Sequence, residues 1–145
     1  MDQFPFKMEL RIDWSEIDIF GHVNNLAILK YVQAGRVNYL EAVGLMQSQA
    51  EAGIGPILAS MSCQFRKPIF YPGRVTVCST VDQINNSSFR ICHVIYNDNS
   101  EIAAEAQDII VLFDFAKQSK LNIPDCLRER IEKLQGTDGL VLVRG

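Results

Sequence analysis

The chain is short of the residues from which several classes of protein site are built. It has two histidines in 145 residues, and its four cysteines form no Cys-x-x-Cys pair. A zinc ribbon, a thioredoxin-type redox site and a histidine-rich metal centre are therefore not expected. A chain of this length can bury a hydrophobic core of its own, so we expect reduced thiols rather than a disulfide framework.

A basic surplus and long apolar runs are also absent. The net charge is −3, whereas a general nucleic-acid-binding protein needs an excess of lysine and arginine to neutralise phosphates. The strongest apolar run, Ile109 to Phe113, is too short to cross a bilayer. The N-terminus lacks the basic region and apolar segment of a signal peptide. We therefore expect a cytoplasmic protein with one domain over residues 1–145, no membrane span and no nucleic-acid partner.

What the chain does contain is a series of strand patterns and one long helical pattern. A first strand is predicted over Lys7 to Ser15, and Leu26 to Val43 carries apolar residues at helical spacing before Gly44. Further strands are predicted at 57–69, 74–84, 89–96 and 101–115. The short connections in this series favour antiparallel neighbours. The order of elements predicts an α+β fold in which one helix packs on an antiparallel sheet.

Smaller features predict how these elements meet. Gly35, in the middle of the long helix, indicates a close approach to the sheet. Gly53 to Pro56 indicates a turn, and the irregular alternation between Ala106 and Ile109 indicates a β-bulge. Residues 124–134 predict a C-terminal helix, and residues 140–143 form a strand-like tail without an assured partner.

The stretch at residues 18–25, DIFGHVNN, concentrates polar groups directly before the long helix. Asn24 or Asn25 is a plausible helix cap. Because the first turn of a helix has N–H groups without intrahelical partners, a carbonyl placed over them would be polarised. Asp18 would then be close enough to attack that carbonyl or to activate water. From residue types alone, local turn formation or capping is the commoner role of such an aspartate.

Residues 10–25, LRIDWSEIDIFGHVNN, resemble the opening signature of hotdog-fold thioesterases, in particular the 4-hydroxybenzoyl-CoA thioesterase-like acyl-CoA thioesterases. Residues 62–73, SCQFRKPIFYPG, resemble a later segment of that family, in which an apolar strand leads through basic residues to a Pro-Gly turn. The resemblance covers about residues 7–115, and residues 116–145 would add a C-terminal helix and tail. It implies a hotdog fold, with a long central helix wrapped by a curved antiparallel β-sheet. It also implies hydrolysis of an acyl thioester to free acid and CoA thiol.

The resemblance further implies roles for individual residues. The catalytic carboxylate of the family falls on Asp18, as nucleophile or general base, and the amide that polarises the carbonyl falls near Asn25. His22 would orient Asp18, contact substrate or protonate the departing thiolate, or else it would fasten the loop by hydrogen bonds. The expected substrate-binding positions are Gly21, Val23, Asn24, Arg66, Lys67, Tyr71, Pro72 and Arg74. The three cations of this set would contact CoA phosphates, and Tyr71 and Pro72 would line the pantetheine channel.

The implied partners are an acyl-CoA or acyl-carrier-protein substrate and further copies of the chain. The copies would form a homodimer whose sheets join edge to edge, paired again into a homotetramer. No metal is expected, and no cofactor, because CoA is part of the substrate. One alternative is a non-enzymatic acyl-thioester-binding protein. The other, an acyl-thioester hydratase or dehydratase, is less favoured because those enzymes usually separate their Asp and His by four residues, whereas three separate Asp18 and His22.

Two further polar residues are expected to be structural. Glu16 lies two residues before Asp18, and a pair of neighbouring carboxylates would raise one pKa. We nevertheless expect Glu16 to be a solvent-facing loop carboxylate. His93 alternates with isoleucines in a strand pattern, so we expect it to have a structural role.

Overall fold

One long helix packs against an antiparallel sheet in the computed structural model, which describes residues 4–46, 53–135 and 141–142. Helix α1 spans Asn25–Ala42 and helix α2 spans Asp125–Gln135. The strands are β1 Phe6–Arg11, β2 Ile54–Phe65, β3 Arg74–Ile84, β4 Ser88–Tyr96, β5 Ile102–Asp114, β6 Ser119–Lys120 and β7 Val141–Leu142. The predicted α+β class and both predicted helices are confirmed.

The main strands follow the spatial order β1-β3-β4-β5-β2, and every neighbouring pair among them is antiparallel. β6 pairs with the end of β5, and β7 pairs in parallel with β3 at Gln83 and Ile84. Two residues of the predicted tail therefore have a strand partner. The rest of that tail, and the break predicted at residues 136–139, lie outside the described residues. β2 forms one edge of the sheet.

Helix α1 crosses the sheet and contributes side chains to two clusters of buried apolar residues, one near each of its ends. The first cluster includes Ile28 and Val32 from the start of α1, and the second includes Leu40 from its end. Gly35 lies between them, and a Cβ there would approach the Ser79 hydroxyl and Val77 Cγ1 to 2.8 Å. The close approach predicted from Gly35 is confirmed.

The ends of α1 follow from local chemistry. Asn24 is the N-cap, and its Oδ1 accepts a hydrogen bond from the N–H of Ala27 at 2.8 Å. Asn25 is therefore the first helical residue. Beyond the C-terminus, Gly44 adopts φ +79°, a backbone conformation that favours glycine.

Two strand boundaries differ from the prediction. β1 ends at Arg11 instead of Ser15, because Asp13 caps a short 3₁₀ turn over Trp14–Glu16 in a capping box. The turn predicted at Gly53 to Pro56 is wrong. β2 begins at Ile54, which pairs with Asp114, and ends at Phe65. An edge strand tolerates Pro56 because one side of its backbone has no ladder to complete.

The bulge predicted between Ala106 and Ile109 is also wrong. β5 keeps a continuous register with β4 there, with Ile91 opposite Asp108 and His93 opposite Ala106. The alternation is irregular in sequence because Asp108 occupies an inward position and is fully buried. The registers shift elsewhere, at positions 59, 82 and 103.

Two expectations concern the chain as a whole. No helix in the described ranges is long and apolar enough to cross a membrane. All four cysteines, Cys63, Cys78, Cys92 and Cys126, carry free thiols.

Candidate active site

The DIFGHVNN motif folds into a tight hairpin that leads into the first residue of α1. Ile17 and Val23 pair across it, and the N–H of Asp18 donates to the carbonyl of His22 at 2.8 Å. Gly21 closes the turn by donating to the carbonyl of Asp18 at 3.1 Å and adopts φ +81°. The hairpin therefore places Asp18 beside the residues that open the helix.

A cavity of about 300 Å³ lies beside this hairpin. Its lining residues are Asp18, His22, Val23, Asn25 and Ile28 from the hairpin and helix, and Phe65, Arg66, Lys67 and Pro68 from the end of β2 and the segment after it. The structure therefore brings together Asp18, His22 and Asn25 with two of the predicted cations.

The carboxylate of Asp18 is held through one of its oxygens. Oδ1 accepts hydrogen bonds from the N–H of Phe20 at 2.8 Å and of His22 at 3.1 Å. No residue in the described part of the chain donates to Oδ2. The local-turn role and a position on the cavity wall thus coexist in one side chain, and the turn orients the carboxylate.

The first turn of α1 supplies unpaired donors at the same cavity. Asn24 satisfies the N–H of Ala27 through its side chain and the N–H of Ile28, at 3.2 Å, through its carbonyl. The N–H groups of Asn25 and Leu26 have no acceptor among the residues that the structure describes. Because a helix N-terminus carries partial positive charge, an oxygen lone pair would be favoured there.

Asn24 and Gly21 build the site without lining the cavity. Asn24 donates through its N–H and its Nδ2 to the carbonyl of Glu16, at 2.8 and 2.9 Å. The solvent-facing role expected for Glu16 is wrong, because its Oε1 accepts hydrogen bonds from the Tyr31 hydroxyl at 2.9 Å and from the N–H of Asp13 at 2.8 Å. The capping-box spacing of Asp13 and Glu16 was the sequence signal for part of this arrangement.

His22 is fastened to the segment that follows β2. It forms an antiparallel bridge with Phe70, and the two rings meet edge to face with centroids 4.9 Å apart. The next residue, Val23, donates its N–H to the carbonyl of Ile69 at 2.8 Å. This contact fixes the cavity wall that carries His22.

Arg66 and Lys67 lie at the mouth of the cavity, and each has an acidic partner. An Arg66 guanidinium nitrogen lies 3.0 Å from the Glu105 carboxylate, and Lys67 forms an ion pair with Glu101. Both basic side chains are 51% exposed. Such exposed pairs contribute little to stability, so a phosphate could compete for either cation.

The remaining predicted contacts lie elsewhere. Pro72 and Arg74 line a second cavity of about 170 Å³, which shares Pro68 with the first. An Arg74 guanidinium nitrogen lies 3.6 Å from the Glu9 carboxylate. Tyr71 is exposed and lines neither cavity. These three residues therefore do not line the cavity beside Asp18, and their role in substrate binding stays a prediction.

A buried polar network separates the two core clusters, and sequence reasoning missed most of it. Asp108 Oδ2 lies 2.8 Å from Arg36 Nε and 2.7 Å from His93 Nε2, and Ser79 Oγ lies 2.8 Å from His93 Nδ1. Burial opposes ionisation of Asp108, but hydrogen bonds from His93 and Arg36 hold its pKa below the ordinary value. Gly35 leaves no room for a substrate above Ser79. The network therefore lies where α1 packs closely against β3 and β4.

Among the described residues, no group of three or more His, Cys, Asp or Glu side chains could hold a metal ion. The groups that the cavity brings together for chemistry are Asp18, His22 and the amides that open α1.

Comparison with known proteins identifies the class of fold. A thioesterase from Thermus thermophilus, solved in complex with coenzyme A and Zn, is 26% identical and has a TM-score of 0.83, over 94% of this chain and 98% of that chain. The long-chain acyl-CoA thioesterase FadM of Escherichia coli (strain K12) is 24% identical over 127 residues, which are 87% of this chain and 96% of FadM. The chloroplastic acyl-acyl carrier protein thioesterase ATL3 of Arabidopsis thaliana is 27% identical over 126 residues, 86% of this chain and 66% of ATL3.

The fold is therefore the hotdog fold of thioesterases. The family model of the Thioesterase-like superfamily matches residues 12–131, which include the whole hairpin, α1 and most of α2. The chain belongs to the Thioesterase-like superfamily. It is a thioester hydrolase, and the resemblance recognised in its sequence is confirmed.

Proposed function

We propose that the chain hydrolyses acyl-CoA thioesters in the cavity beside Asp18. One observation carries the proposal: Asp18 and Asn25 line the same cavity of about 300 Å³. One supplies a carboxylate oxygen without a described donor, and the other begins a helix whose first N–H groups have no described acceptor. A thioester carbonyl between them would meet a donor on one side and a base or nucleophile on the other.

The reaction can follow either of two balanced routes. In the first, Asp18 Oδ2 attacks the carbonyl carbon, the CoA thiolate leaves, and water hydrolyses the resulting mixed anhydride. In the second, Asp18 takes a proton from water as that water attacks the same carbon. In both routes the Asn25 N–H stabilises the developing oxyanion, and one such donor typically lowers the barrier by about 3 kcal/mol. The released thiolate then takes up a proton.

The CoA moiety would leave the cavity toward the basic residues at its mouth. Arg66 and Lys67 are exposed and would contact phosphate oxygens in place of Glu105 and Glu101. The second cavity, which contains Arg74, adjoins the first through Pro68 and offers a continuation of this path. The coenzyme A bound in the T. thermophilus thioesterase supports this choice of ligand.

The acyl chain would follow an apolar groove between α1 and β2. The groove has a volume of about 370 Å³ and is lined by Leu26, Leu29, Lys30, Gln33, Arg36, Leu58 and Met61. It begins one residue along the helix from Asn25. We therefore propose a fatty acyl group, which agrees with the substrate in the name of FadM. The name of ATL3 makes the acyl-carrier-protein thioester the second donor to test.

The proposed assembly is a homodimer joined along β2 and paired again into a tetramer. β2 is an edge strand, and it exposes 41% of Leu58 and 51% of Phe65. Joining two such edges would complete both backbone ladders and cover these side chains. Light scattering should then give a mass that is a multiple of the 16.3 kDa chain.

Thiol release from a panel of acyl-CoA esters of different chain length tests the proposed reaction. Replacing Asp18 by Asn should lower kcat by about 10³-fold, the size expected for loss of a positioned base. Asp114→Asn is a matched control, because Asp114 Oδ1 also accepts from two loop N–H groups, at 3.0 Å, and lies outside the cavity. Equal activity of Asp18→Asn and the unmodified protein, with both folded, would overturn the catalytic assignment.

A further inference from the structure

Glu16 joins the two parts of the proposed site, although it does not line the cavity. Its carbonyl accepts both hydrogen bonds from Asn24, the residue that caps α1. It is also two residues before Asp18, on the same arm of the hairpin. Any displacement of Glu16 would therefore move the carboxylate and the helix cap relative to each other.

Tyr31, a buried residue of α1, holds the side chain of Glu16 through a hydrogen bond. Only 4% of Tyr31 is exposed, and its hydroxyl donates to Glu16 Oε1 at 2.9 Å. Burial and the neighbouring Glu16 carboxylate raise the pKa of Tyr31 well above its usual value, so its hydroxyl keeps its proton and remains a donor. The contacts form a closed ring from Tyr31 to Glu16, to Asn24, and back into α1.

We propose that Tyr31 and Glu16 are positioning residues that fix the Asp18 carboxylate relative to the Asn25 N–H. The inference rests on the function proposed above, because it assigns a purpose to that distance. Reacting groups tolerate little displacement, and a misplacement of about 1 Å can cost about 100-fold in rate. Arg66 and Lys67 belong to the segment after β2 and make no contact within the ring, so loss of the ring should change turnover more than CoA binding.

Tyr31→Phe tests this ring of hydrogen bonds, because it removes only the hydroxyl group of a buried side chain. Tyr39→Phe is its matched control. Tyr39 is also fully buried on α1, but its hydroxyl donates to Gln135 Oε1 at 2.7 Å in the other core cluster. Both variants should lose similar stability. Tyr31→Phe should lower kcat about tenfold, equivalent to about 1.4 kcal/mol of barrier, with little change in KM, and Tyr39→Phe should leave both constants unchanged.

Glu16 variants provide the rescue. Glu16→Gln keeps an Oε1 that accepts from Tyr31 and Asp13, so it should retain most of the activity. Glu16→Ala removes that acceptor and should match Tyr31→Phe. Equal losses in Glu16→Gln and Glu16→Ala would contradict a role based on hydrogen bonding.

Backbone amide exchange separates failure of this inference from failure of the proposed function. The N–H groups of Asn24 and Ala27 should exchange faster in Tyr31→Phe than in Tyr39→Phe. If Asp18→Asn is inactive while Tyr31→Phe and Tyr39→Phe have equal kcat, the positioning role is overturned and the proposed function stands. If the protein releases no thiol, or if Asp18→Asn remains active, the catalytic proposal fails. In that case the amide exchange rates test the ring independently of activity. Equal rates in Tyr31→Phe and Tyr39→Phe would show that the ring does not hold the hairpin and would overturn the inference.

Discussion

The two ends of α1 lie on the same sheet but are covered differently. At the C-terminal half of α1, the second core cluster is covered by Leu127 and Ile131 of α2 and by Ile123 just before α2, each at most 4% exposed. The N-terminal half of α1 adjoins the hairpin, where Ile19 is 94% exposed and Phe20 is 75% exposed. We call these the sealed end and the open end.

The difference indicates that stability and function are separated along one helix. The sealed end is held by close-packed apolar side chains, whose burial supplies most of the free energy of folding. The open end also packs on the first core cluster, but its hairpin is held by hydrogen bonds among Glu16, Asn24 and Tyr31, which fix directions and leave polar groups accessible. Substitutions at the sealed end should therefore change the free energy of unfolding, and substitutions at the open end should change turnover.

The largest expected effect lies between the two ends, in the buried network of Asp108. Asp108→Asn removes the negative charge that faces Arg36 and His93, and 88% of the Arg36 side chain is buried, since 12% is exposed. Leaving a buried charge without its partner typically costs 3–5 kcal/mol, so we expect the variant to lose about 3 kcal/mol. Urea unfolding at fixed protein concentration measures the loss. A loss of unfolding free energy below about 1 kcal/mol would show that the Asp108 network contributes little to holding the two ends of α1 on the sheet.

The same substitution predicts a pH dependence. Because its folded-state pKa is lowered, Asp108 stabilises the folded protein above its ordinary pKa of 3.8, and this stabilisation is lost as the pH falls through the folded-state value. The difference in unfolding free energy between the unmodified protein and Asp108→Asn should therefore be constant near neutral pH and shrink below about pH 4. A difference that grows on acidification would contradict the lowered pKa.

The next effect compares one isoleucine from each end. Ile131 is a fully buried residue of α2, so Ile131→Ala should cost about 3 kcal/mol through lost burial and a residual cavity. Ile28 is 5% exposed and lines the cavity beside Asp18, so part of the space left by Ile28→Ala opens onto an existing cavity. We expect a smaller stability loss from Ile28→Ala and a larger loss of activity per folded molecule. The reverse ranking in either assay would break the comparison.

The sequence predicted the regular elements because their patterns are local. β3 spans Arg74–Ile84, as predicted, and α1 begins one residue before its predicted start. The false bulge in β5 has a different origin. Asp108 lies inward because it pairs with Arg36, 72 residues earlier in the chain, and periodicity cannot foresee a buried charge with so distant a partner.

The candidate site divides in the same way. Asp18, His22 and Asn25 all lie within the motif at residues 18–25, so that motif sufficed to predict that they lie together. Arg74 lines a separate cavity because the path of the chain between β2 and β3 is set by tertiary contacts, which a sequence pattern does not show. The link between Glu16 and Tyr31 was missed for the same reason. The catalytic roles assigned from the family resemblance remain predictions.

The smallest expected loss of unfolding free energy lies at the open end. There we expect the substitution to affect turnover more strongly than stability. Asn24→Ala removes the cap of Ala27 and the Nδ2 bond to Glu16, and loss of a cap typically costs about 1 kcal/mol. Asn24 directly precedes the proposed carbonyl-polarising amide. We therefore expect the increase in activation free energy, calculated from the fall in kcat, to be larger than this loss of stability. Asn24→Ser restores a capping oxygen without the donor to Glu16, so it should recover stability and only part of kcat. Full recovery of kcat by serine would show that the Nδ2 bond to Glu16 is dispensable, and that the cap and the main-chain bond to Glu16 suffice to position the amide.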